Sequence, residues 1–385
     1  MKKNLSVLTL VLLQGVTGFC ANSSPARWSE AKANAWYAGK QWLVGCNFAP
    51  SSAINQLEMW QADIFDPVII DRELGWAESL GFISIRVFLH DLLWQQDAKG
   101  VTKRMDEFLA LAHRHHLGVM FVLFDSCWDP SPKLGKQRNP RPHVHNSGWV
   151  QSPGREYLAH PERFPELKSY VLGVVGHFRN DPRIDFWDLY NEPDNKSDLA
   201  EYAPAEPADK IDAARALLED AFLWAREAAP SQPLTSGVWL GYWADPAKLS
   251  PMETAQLQNS DIITFHNYGK PEDAKRCVDN LRRYHRPVVC TEYMARPAGS
   301  TFDPILSYFK QEHVGAYNWG FVSGKTQTIY PWDSWKTNYT AEPSLWFHDI
   351  FRSDGAPYSA REVAFIRGLT SSNARSEVRA TDGGH

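Results

Sequence analysis

Two glutamates each stand at the end of an apolar run in this 385-residue chain. Glu192 lies in the triplet Asn191-Glu192-Pro193, directly after the run "RIDFWDLY", and Glu292 lies 100 residues later in "RPVVCTEY". Asparagine and glutamate are poor strand formers, and proline stops a strand ladder, so the first run is predicted to end as Glu192 begins. Two carboxylates facing each other across one pocket are the smallest set of side chains that can break a glycosidic bond. One gives a proton to the leaving oxygen, and the other attacks the anomeric carbon or activates water.

Further polar side chains stand where packing alone would favour apolar ones. Arg86 lies inside "ISIRVFLHD" and needs a carboxylate partner if it is buried, for which Glu292 is the natural candidate. Such a pair would keep Glu292 ionised. In "FHNYG", Tyr268 is placed to donate to Glu292, and His266 to reach either Glu192 or a sugar.

Three more residues complete the predicted binding set. Asn191 is expected to hydrogen-bond a sugar 2-hydroxyl, an interaction that strengthens in the transition state. Trp319, in "YNWGF", is expected to form the floor under the sugar at the cleavage point. Asp125, in "VLFDSCW", is either a sugar ligand or a cap on its strand. Asp188, within the fourth strand, is outside this set and is expected to fix the positions of its neighbours.

Eight short apolar runs position these residues, and amphipathic helical patterns alternate with them. Continuous apolar runs are typical of parallel strands covered on both faces. The alternation predicts a single (β/α)8 TIM barrel, since a doubly wound open sheet would need a Gly-rich loop that the first run lacks. The runs are residues 41–48, 82–90, 118–125, 183–190, 234–241, 261–268, 286–293 and 315–322.

Taken in strand order, these residues resemble the clan A retaining glycoside hydrolases, and most of all glycoside hydrolase family 5, the cellulase and mannanase family. The resemblance covers nearly all of the chain after residue 21. It implies Glu192 as acid/base, Glu292 as nucleophile, a β-linked mannan, glucan or xylan as substrate, and neither metal nor organic cofactor. The family commonly has a histidine at the end of the third strand, where this chain has Asp125. The matching residues are Arg86, Asn191-Glu192-Pro193, His266, Tyr268, Glu292 and Trp319.

The composition limits the classes of ligand that the protein is expected to bind. The net charge of −5 and the lack of a basic patch exclude nucleic acid as an expected ligand. The 16 tryptophans exceed average usage, and either sugar platforms or core filling would account for them. Two or three of those predicted at the mouth are expected to form sugar platforms: Trp94, Trp128, Trp149, Trp239, Trp243, Trp332 and Trp335.

The first residues of the chain predict export, and the last residues predict a polar tail. Residues 1–21 combine Lys2 and Lys3 with an apolar stretch that is too short to span a bilayer, as in a cleaved signal peptide. Lipidation at Cys20 is disfavoured by the bulky Phe19, so a periplasmic or extracellular protein is expected. The catalytic domain is assigned to residues 22–370, and residues 371–385 are predicted to be a disordered tail.

Some alternatives remain open at this stage. Cys46, Cys127, Cys277 and Cys290 are either free or paired in disulfides. The long connection 129–160 is expected at the mouth, where it could close one end of a cleft and make the protein exo-acting rather than endo-acting. Its histidines at 143 and 145 have metal-ligand spacing, but a lid is favoured over a metal site. A transglycosylase with the same site, or a catalytically silent sugar-binding barrel, are the alternative functions, and the oligomeric state is open.

Overall fold

The structure is a computed structural model that describes residues 26–381, with side chains up to residue 371. The predicted signal peptide, residues 1–21, lies outside the described residues. Eight strands form one sheet in the order β5-β4-β3-β2-β1-β8-β7-β6, and every pairing is parallel. The strands are Val44–Asn47 (β1), Ser84–Phe88 (β2), Gly118–Asp125 (β3), Ile184–Asn191 (β4), Leu234–Thr235 (β5), Ile263–His266 (β6), Val288–Tyr293 (β7) and Gly315–Asn318 (β8).

The sheet closes on itself between β5 and β6. Val238 leaves the ladder with β4 but forms a parallel bridge with Phe265. Its N–H donates to the Thr264 carbonyl at 3.1 Å, and its carbonyl accepts from the His266 N–H at 3.0 Å. The predicted (β/α)8 barrel is therefore confirmed, although the fifth strand is only two residues long.

Helices follow the strands and cover the outside of the barrel. Their starts are encoded locally: Ser250 and Glu253 cap each other's backbone at the start of one helix, and Asp66 accepts from Val68 and Ile69 at the start of another. The α-helices are Glu30–Ala38 (α1), Gln56–Trp60 (α2), Pro67–Ser79 (α3), Asp91–Arg114 (α4), Arg155–Leu158 (α5), Phe164–His177 (α6), Lys210–Glu227 (α7), Pro251–Asn259 (α8), Pro271–Leu281 (α9), Phe302–Gln311 (α10) and Ala360–Thr381 (α11). Short 3-10 turns lie at Pro161–Arg163, Ala203–Ala205, Pro246–Lys248, Arg282–Tyr284, Arg296–Ala298 and Trp332–Trp335.

The barrel interior changes from apolar to polar along its axis. Near the amino ends of the strands, Met120, Phe186 and Tyr317 pack together, and Tyr37 of α1 packs on the same cluster. Nearer the carboxyl ends the interior holds the fully buried guanidinium of Arg86. A buried charge needs partners, so this end of the barrel is where a polar site must lie.

The structure bears on the predicted tail and on the open question of the cysteines. The backbone of α11 continues to Thr381, so residues 371–381, expected to be a disordered tail, are helical; residues 382–385 lie outside the described part. The four cysteines of the described range are free thiols. No helix within residues 26–381 is both long enough and apolar enough to cross a membrane.

Candidate active site

The two glutamates meet at the carboxyl-end mouth of the barrel. Glu192 directly follows β4, Glu292 lies near the end of β7, and both are buried. A carboxylate oxygen of each and a ring nitrogen of His266 all lie within 4.8 Å of one another. Glu192 has a left-handed backbone, with φ of 43°. A non-glycine residue rarely adopts this conformation, and such strain is concentrated at functional sites.

Arg86 lies beneath this mouth and donates hydrogen bonds to several of its residues. Its Nη1 donates to Oε1 of Glu292 at 2.6 Å, as the sequence predicted. Its Nη2 donates to Asp188 at 2.7 Å and to Oδ1 of Asn191 at 2.6 Å, and Nη1 also reaches Asn47 at 2.9 Å. The guanidinium charge is therefore shared between two carboxylates, and Asp188 fixes its neighbours as expected.

Glu292 accepts hydrogen bonds on both oxygens. Arg86 occupies Oε1, and the hydroxyl of Tyr268 donates to Oε2 at 2.7 Å, which confirms the predicted contact. Burial raises the pKa of the Glu292 carboxyl, while His266, the charge of Arg86 and the hydrogen bond from Tyr268 act in the opposite direction. The side chain is thus oriented from two sides, with a positive charge on one of them.

Glu192 has a different set of neighbours. Its Oε1 lies 2.7 Å from Nδ1 of His266, and its Oε2 accepts from Asn195 at 2.7 Å and from the Cys127 thiol at 3.3 Å. Burial raises the pKa of Glu192, and no cation donates a hydrogen bond to it among the residues that the structure describes. Of the two carboxyl groups, Glu192 is the one whose contacts better tolerate a proton.

His266 is neutral at ordinary pH. Burial lowers its pKa to about 4. It was expected to reach the acid or the sugar, and it contacts the Glu192 carboxyl through Nδ1. Its Nε2 is buried and has no hydrogen-bond partner within the described part of the chain. A neutral ring can exchange a hydrogen bond with Glu192 without changing the total charge of the mouth.

Asn191 and Asp125 are occupied by other protein groups. The Asn191 amide accepts from Arg86 and donates to Oδ1 of Asp125 at 2.9 Å. Asp125 also accepts from the indole of Trp149 at 2.6 Å and from the backbone N–H of Cys127 at 3.1 Å. Both residues line the pocket, but their described polar contacts tie the end of β3 to the end of β4 and to the long loop.

Aromatic side chains form the walls of a cavity of about 270 Å³ around the two glutamates. Trp319 follows β8 and packs edge-on against Phe88 and Trp149, with ring centroids 5.7 and 5.8 Å away. Of the tryptophans predicted at the mouth, four line this cavity together with Trp319: Trp128, Trp149, Trp239 and Trp332.

The other three predicted mouth tryptophans do not line this cavity. Trp94 packs on α6, where a Cβ at Gly173 would come within 2.0 Å of its ring. Trp243 is buried against Phe265. Trp335 stacks on Trp128 at 5.5 Å and lines a neighbouring cavity.

The long loop 129–160 contributes directly to the site. His145 and Asn146 from this loop line the cavity, and Oδ1 of Asn146 is buried without a described hydrogen-bond partner. His143 instead stacks on Tyr330. The two histidines join no three-residue cluster of metal-ligand type among the described residues, where the one such group is Glu192, His266 and Glu292. Since Arg86 and Tyr268 already bond Glu292, we read this group as a carboxylate pair with a histidine.

Three loops meet above the site. The Trp335 indole of the β8 loop donates to the His145 carbonyl at 2.8 Å, and Lys336 lies 3.6 Å from Asp198 of the β4 loop. A second cavity of about 480 Å³ lies between these loops. It shares Trp128, Asn195 and Trp332 with the first cavity. The two cavities are therefore adjacent, with Asn195, which bonds Glu192, on the wall between them.

Several residues of the site were not found by sequence reasoning. Cys127 was considered only as a disulfide candidate, and the residue type of Asn195 does not stand out in its polar loop. Asn146 belongs to the long loop, whose path the sequence does not specify, and His145 was expected only as part of a lid. The one available signal was position: Cys127 and Asn195 each follow closely after a predicted strand end.

Comparisons with known proteins identify the fold. No protein-family model matches the chain, and no curated protein matches it. Solved structures of low sequence identity do match. A glycoside hydrolase family 5, subfamily 18 protein from Streptomyces cattleya is 13% identical, with a TM-score of 0.56 over 86% of this chain and 79% of that chain.

Two other similar structures carry mannan-related names. An exo-β-1,4-mannosidase from Opitutaceae bacterium strain TAV5 is 18% identical, with a TM-score of 0.55 over 86% of this chain and 60% of that one. A β-mannanase from the blue mussel Mytilus edulis is 16% identical, with a TM-score of 0.52 over 76% and 89%. The fold of this chain is therefore similar to that of family 5 glycoside hydrolases, as the sequence motifs predicted.

Proposed function

We propose that this protein is a retaining β-glycosidase that hydrolyses O-glycosidic bonds of a β-linked oligosaccharide or polysaccharide. The observation that carries the proposal is the pair of buried carboxyls with oxygens within 4.8 Å and unequal surroundings. Retaining enzymes hold their carboxyl groups about 5–5.5 Å apart, whereas inverting enzymes need about 6.5–9.5 Å to admit a water. The close pair favours attack by a carboxylate over attack by water.

Each glutamate has the neighbours that its proposed role needs. Glu292, bonded by Arg86 and Tyr268, is the nucleophile that attacks the anomeric carbon. Glu192 protonates the leaving oxygen, and a covalent glycosyl-enzyme forms on Glu292. Glu192 then takes a proton from the incoming water, which releases the sugar with its configuration retained. His266 holds Oε1 of Glu192 between the two half-reactions.

The substrate class proposed first is a β-mannoside of at least two sugars. The similar structures include a mannosidase and a mannanase by name, and one subfamily 18 structure is in complex with Manβ1-4GlcNAc. The adjacent cavity beside Asn195, on the side of the proposed acid, supports a leaving group that is itself a sugar. The meeting of three loops over the mouth supports exo-action on short chains rather than endo-action on a polymer.

The proposal is tested with the protein lacking residues 1–21. Release of reducing ends is measured over β-mannans, β-glucans, xylans and matching oligosaccharides and aryl glycosides. We expect Glu292→Ala to lose activity by a factor of about 10⁴ or more, as expected for removal of a nucleophile. Glu107→Ala, an exposed glutamate on α4, is the matched control and should behave as wild type.

Azide distinguishes the two roles. With an activated aryl glycoside, azide should rescue Glu192→Ala and give the β-glycosyl azide, because azide then attacks the covalent intermediate without needing a base. Azide with Glu292→Ala should give the α-glycosyl azide instead. Wild-type activity in either alanine variant without azide would overturn the two-glutamate mechanism.

Transglycosylation is the second candidate, and the cavity beside Asn195 favours it, since an acceptor sugar could bind there. Product analysis with added acceptor would measure the ratio of transfer to hydrolysis. A silent sugar-binding barrel is disfavoured because Glu192, Glu292, Arg86 and Tyr268 are all present and connected. Export through residues 1–21 remains our proposal, and amino-terminal sequencing of the secreted protein tests it.

A further inference from the structure

Cys127 places a thiol against the proposed acid/base. Its Sγ lies 3.3 Å from Oε2 of Glu192, and the half-buried side chain lines the cavity. The three other cysteines in the described range are buried away from this oxygen. The Cys127 side chain also packs against the cluster of Phe88, Val122 and Trp149, so its contact with Glu192 is a polar contact in addition to packing.

The surrounding bonds set the direction of the thiol. Its sulfur lies 3.4 Å from the amide nitrogens of both Asn191 and Asn195, which donate to it. The nearby carboxylate of Asp125 already accepts from Trp149, Asn191 and the Cys127 backbone. Asp125 is also an acceptor for the thiol, so the S–H lies between two carboxylates, with its sulfur 3.3 Å from Oε2 of Glu192.

The thiol keeps its proton. Burial, followed by the negative charges of Asp125, Glu192 and Glu292, raises the pKa of Cys127 well above its usual range. A protonated thiol is a weak hydrogen-bond donor and neither a nucleophile nor a metal ligand. The raised pKa of the thiol disfavours a covalent role for the sulfur, and its contact with Oε2 of Glu192 is that of a donor.

We propose that Cys127 is a positioning residue for Glu192, whose S–H donates to Oε2 and, together with Asn195, orients that oxygen and favours the ionised carboxylate. The inference rests on the proposed two-glutamate hydrolysis. It matters most in the second half-reaction, when ionised Glu192 must accept a proton from water. Cys127 acts through Glu192 and does not itself touch the reacting atoms.

Other charged and titratable groups face Glu192 and remain in place when the thiol is removed. They come from several elements around the mouth: Arg86 on β2, Asp125 on β3, Asp194 after β4, His266 on β6, Tyr268 after β6, and Glu292 on β7. Of these groups, Asp125 also hydrogen-bonds to the Cys127 side chain, so a change in the titration of Glu192 reports the thiol contact when Cys127→Ser reverses it.

The experiment compares three variants at this position. Cys127→Ala and Cys127→Val both remove the donor but leave different volumes, and Cys127→Ser restores a donor. The pH profile of kcat/KM is measured on the substrate that the wild type hydrolyses best. We expect the basic limb to move to higher pH by about half a unit in Cys127→Ala and Cys127→Val, because Glu192 loses a donor to its ionised form. In Cys127→Ser the limb should return to the wild-type position or below it.

Controls separate this inference from packing and from the proposed function. Cys277→Ala removes a buried thiol on α9 and should leave the basic limb unchanged. Superimposable profiles for all variants, or an equal loss at every pH that serine does not restore, would overturn the positioning role while leaving the hydrolysis intact. Full activity of Glu192→Ala in the same series would instead overturn the proposed function.

Discussion

The two glutamates of the mouth are held by different parts of the chain. Glu292 is bonded by Arg86 from inside β2 and by Tyr268, two residues beyond β6, so the barrel itself fixes it. Glu192 is bonded by His266 at the end of β6 and by Cys127 and Asn195, which lie in the loops after β3 and β4. The proposed nucleophile is thus bonded by a strand residue and by a residue just beyond a strand, whereas two of the three contacts of the proposed acid/base come from loops.

The largest expected effect comes from the strand network. Arg86→Lys keeps one charge but loses the fork that bonds Glu292, Asp188 and Asn191 together. We expect kcat/KM to fall by about 10²–10³, with a loss of about 3–4 kcal/mol in the free energy of unfolding, since buried carboxylates lose partners. Steady-state kinetics and chemical denaturation measure both. An active, fully stable Arg86→Lys would show that the network does not hold the nucleophile.

A smaller effect is expected at Tyr268. Tyr268→Phe removes one hydrogen bond to the Glu292 carboxylate while keeping the ring. A hydrogen bond to a charged group contributes about 1.5–3 kcal/mol, so kcat/KM should fall by about 10–100-fold. Tyr284→Phe, whose hydroxyl has no described partner, is the matched control and should keep full activity. Equal losses in the two variants would contradict a specific role for Tyr268.

Substitution of the loop residue Asn195 is expected to change the pH dependence of kcat/KM. Asn195→Ala removes a donor that lowers the pKa of Glu192 against the effect of burial. The pKa of Glu192 should therefore rise, its acid form should persist to higher pH, and the basic limb of kcat/KM should shift upward. We expect a loss of about 5–10-fold below the shifted limb. A downward shift would mean that Asn195 does not stabilise the ionised carboxylate.

The smallest effect is expected at Asp349, a buried carboxyl that has no role in the proposed reaction. A substitution there should change only the stability of the fold. Asp349 accepts from Thr328 at 2.7 Å, but its Oδ2 has no described partner, and burial raises its pKa to about 7. Because the folded-state pKa is raised, its stabilising neutral form is fully present below about pH 4 and is lost as the pH rises through 7. Asp349→Asn should thus stabilise the fold by about 1 kcal/mol at pH 8 and by nothing at pH 4. Urea denaturation at the two pH values measures the difference, and equal changes at both would contradict it.

The same contrast between strands and loops separates what the sequence predicts from what it does not. Arg86, Tyr268 and Glu292 were placed correctly because a polar residue inside or at the end of an apolar run has few explanations besides a site. Barrel geometry then brings strand ends together without any knowledge of the loops. For these residues, predicting the barrel was enough to predict that they lie together in the site.

The loop contacts could not be obtained in that way. Cys127 and Glu192 are brought together by the path of the chain after β3 and by the left-handed backbone of Glu192, and neither leaves a periodic signal. Similarly, the expectation that Asn191 faces a sugar missed that Arg86 and Asp125 occupy its amide. Side chains near a strand end can be located from sequence, but their individual partners depend on loop conformation.

The hydrogen bonds of Arg86 also have a consequence for the order of folding. This one side chain bonds groups on β1, β4 and β7, so its charge is satisfied only after strands from both halves of the chain have come together. A nascent or truncated chain that ends before β7 would contain the guanidinium and Asp188 but not Glu292. The Arg86–Glu292 contact therefore requires that β2 and β7 face each other across the barrel interior, and its appearance would report that arrangement during synthesis or refolding.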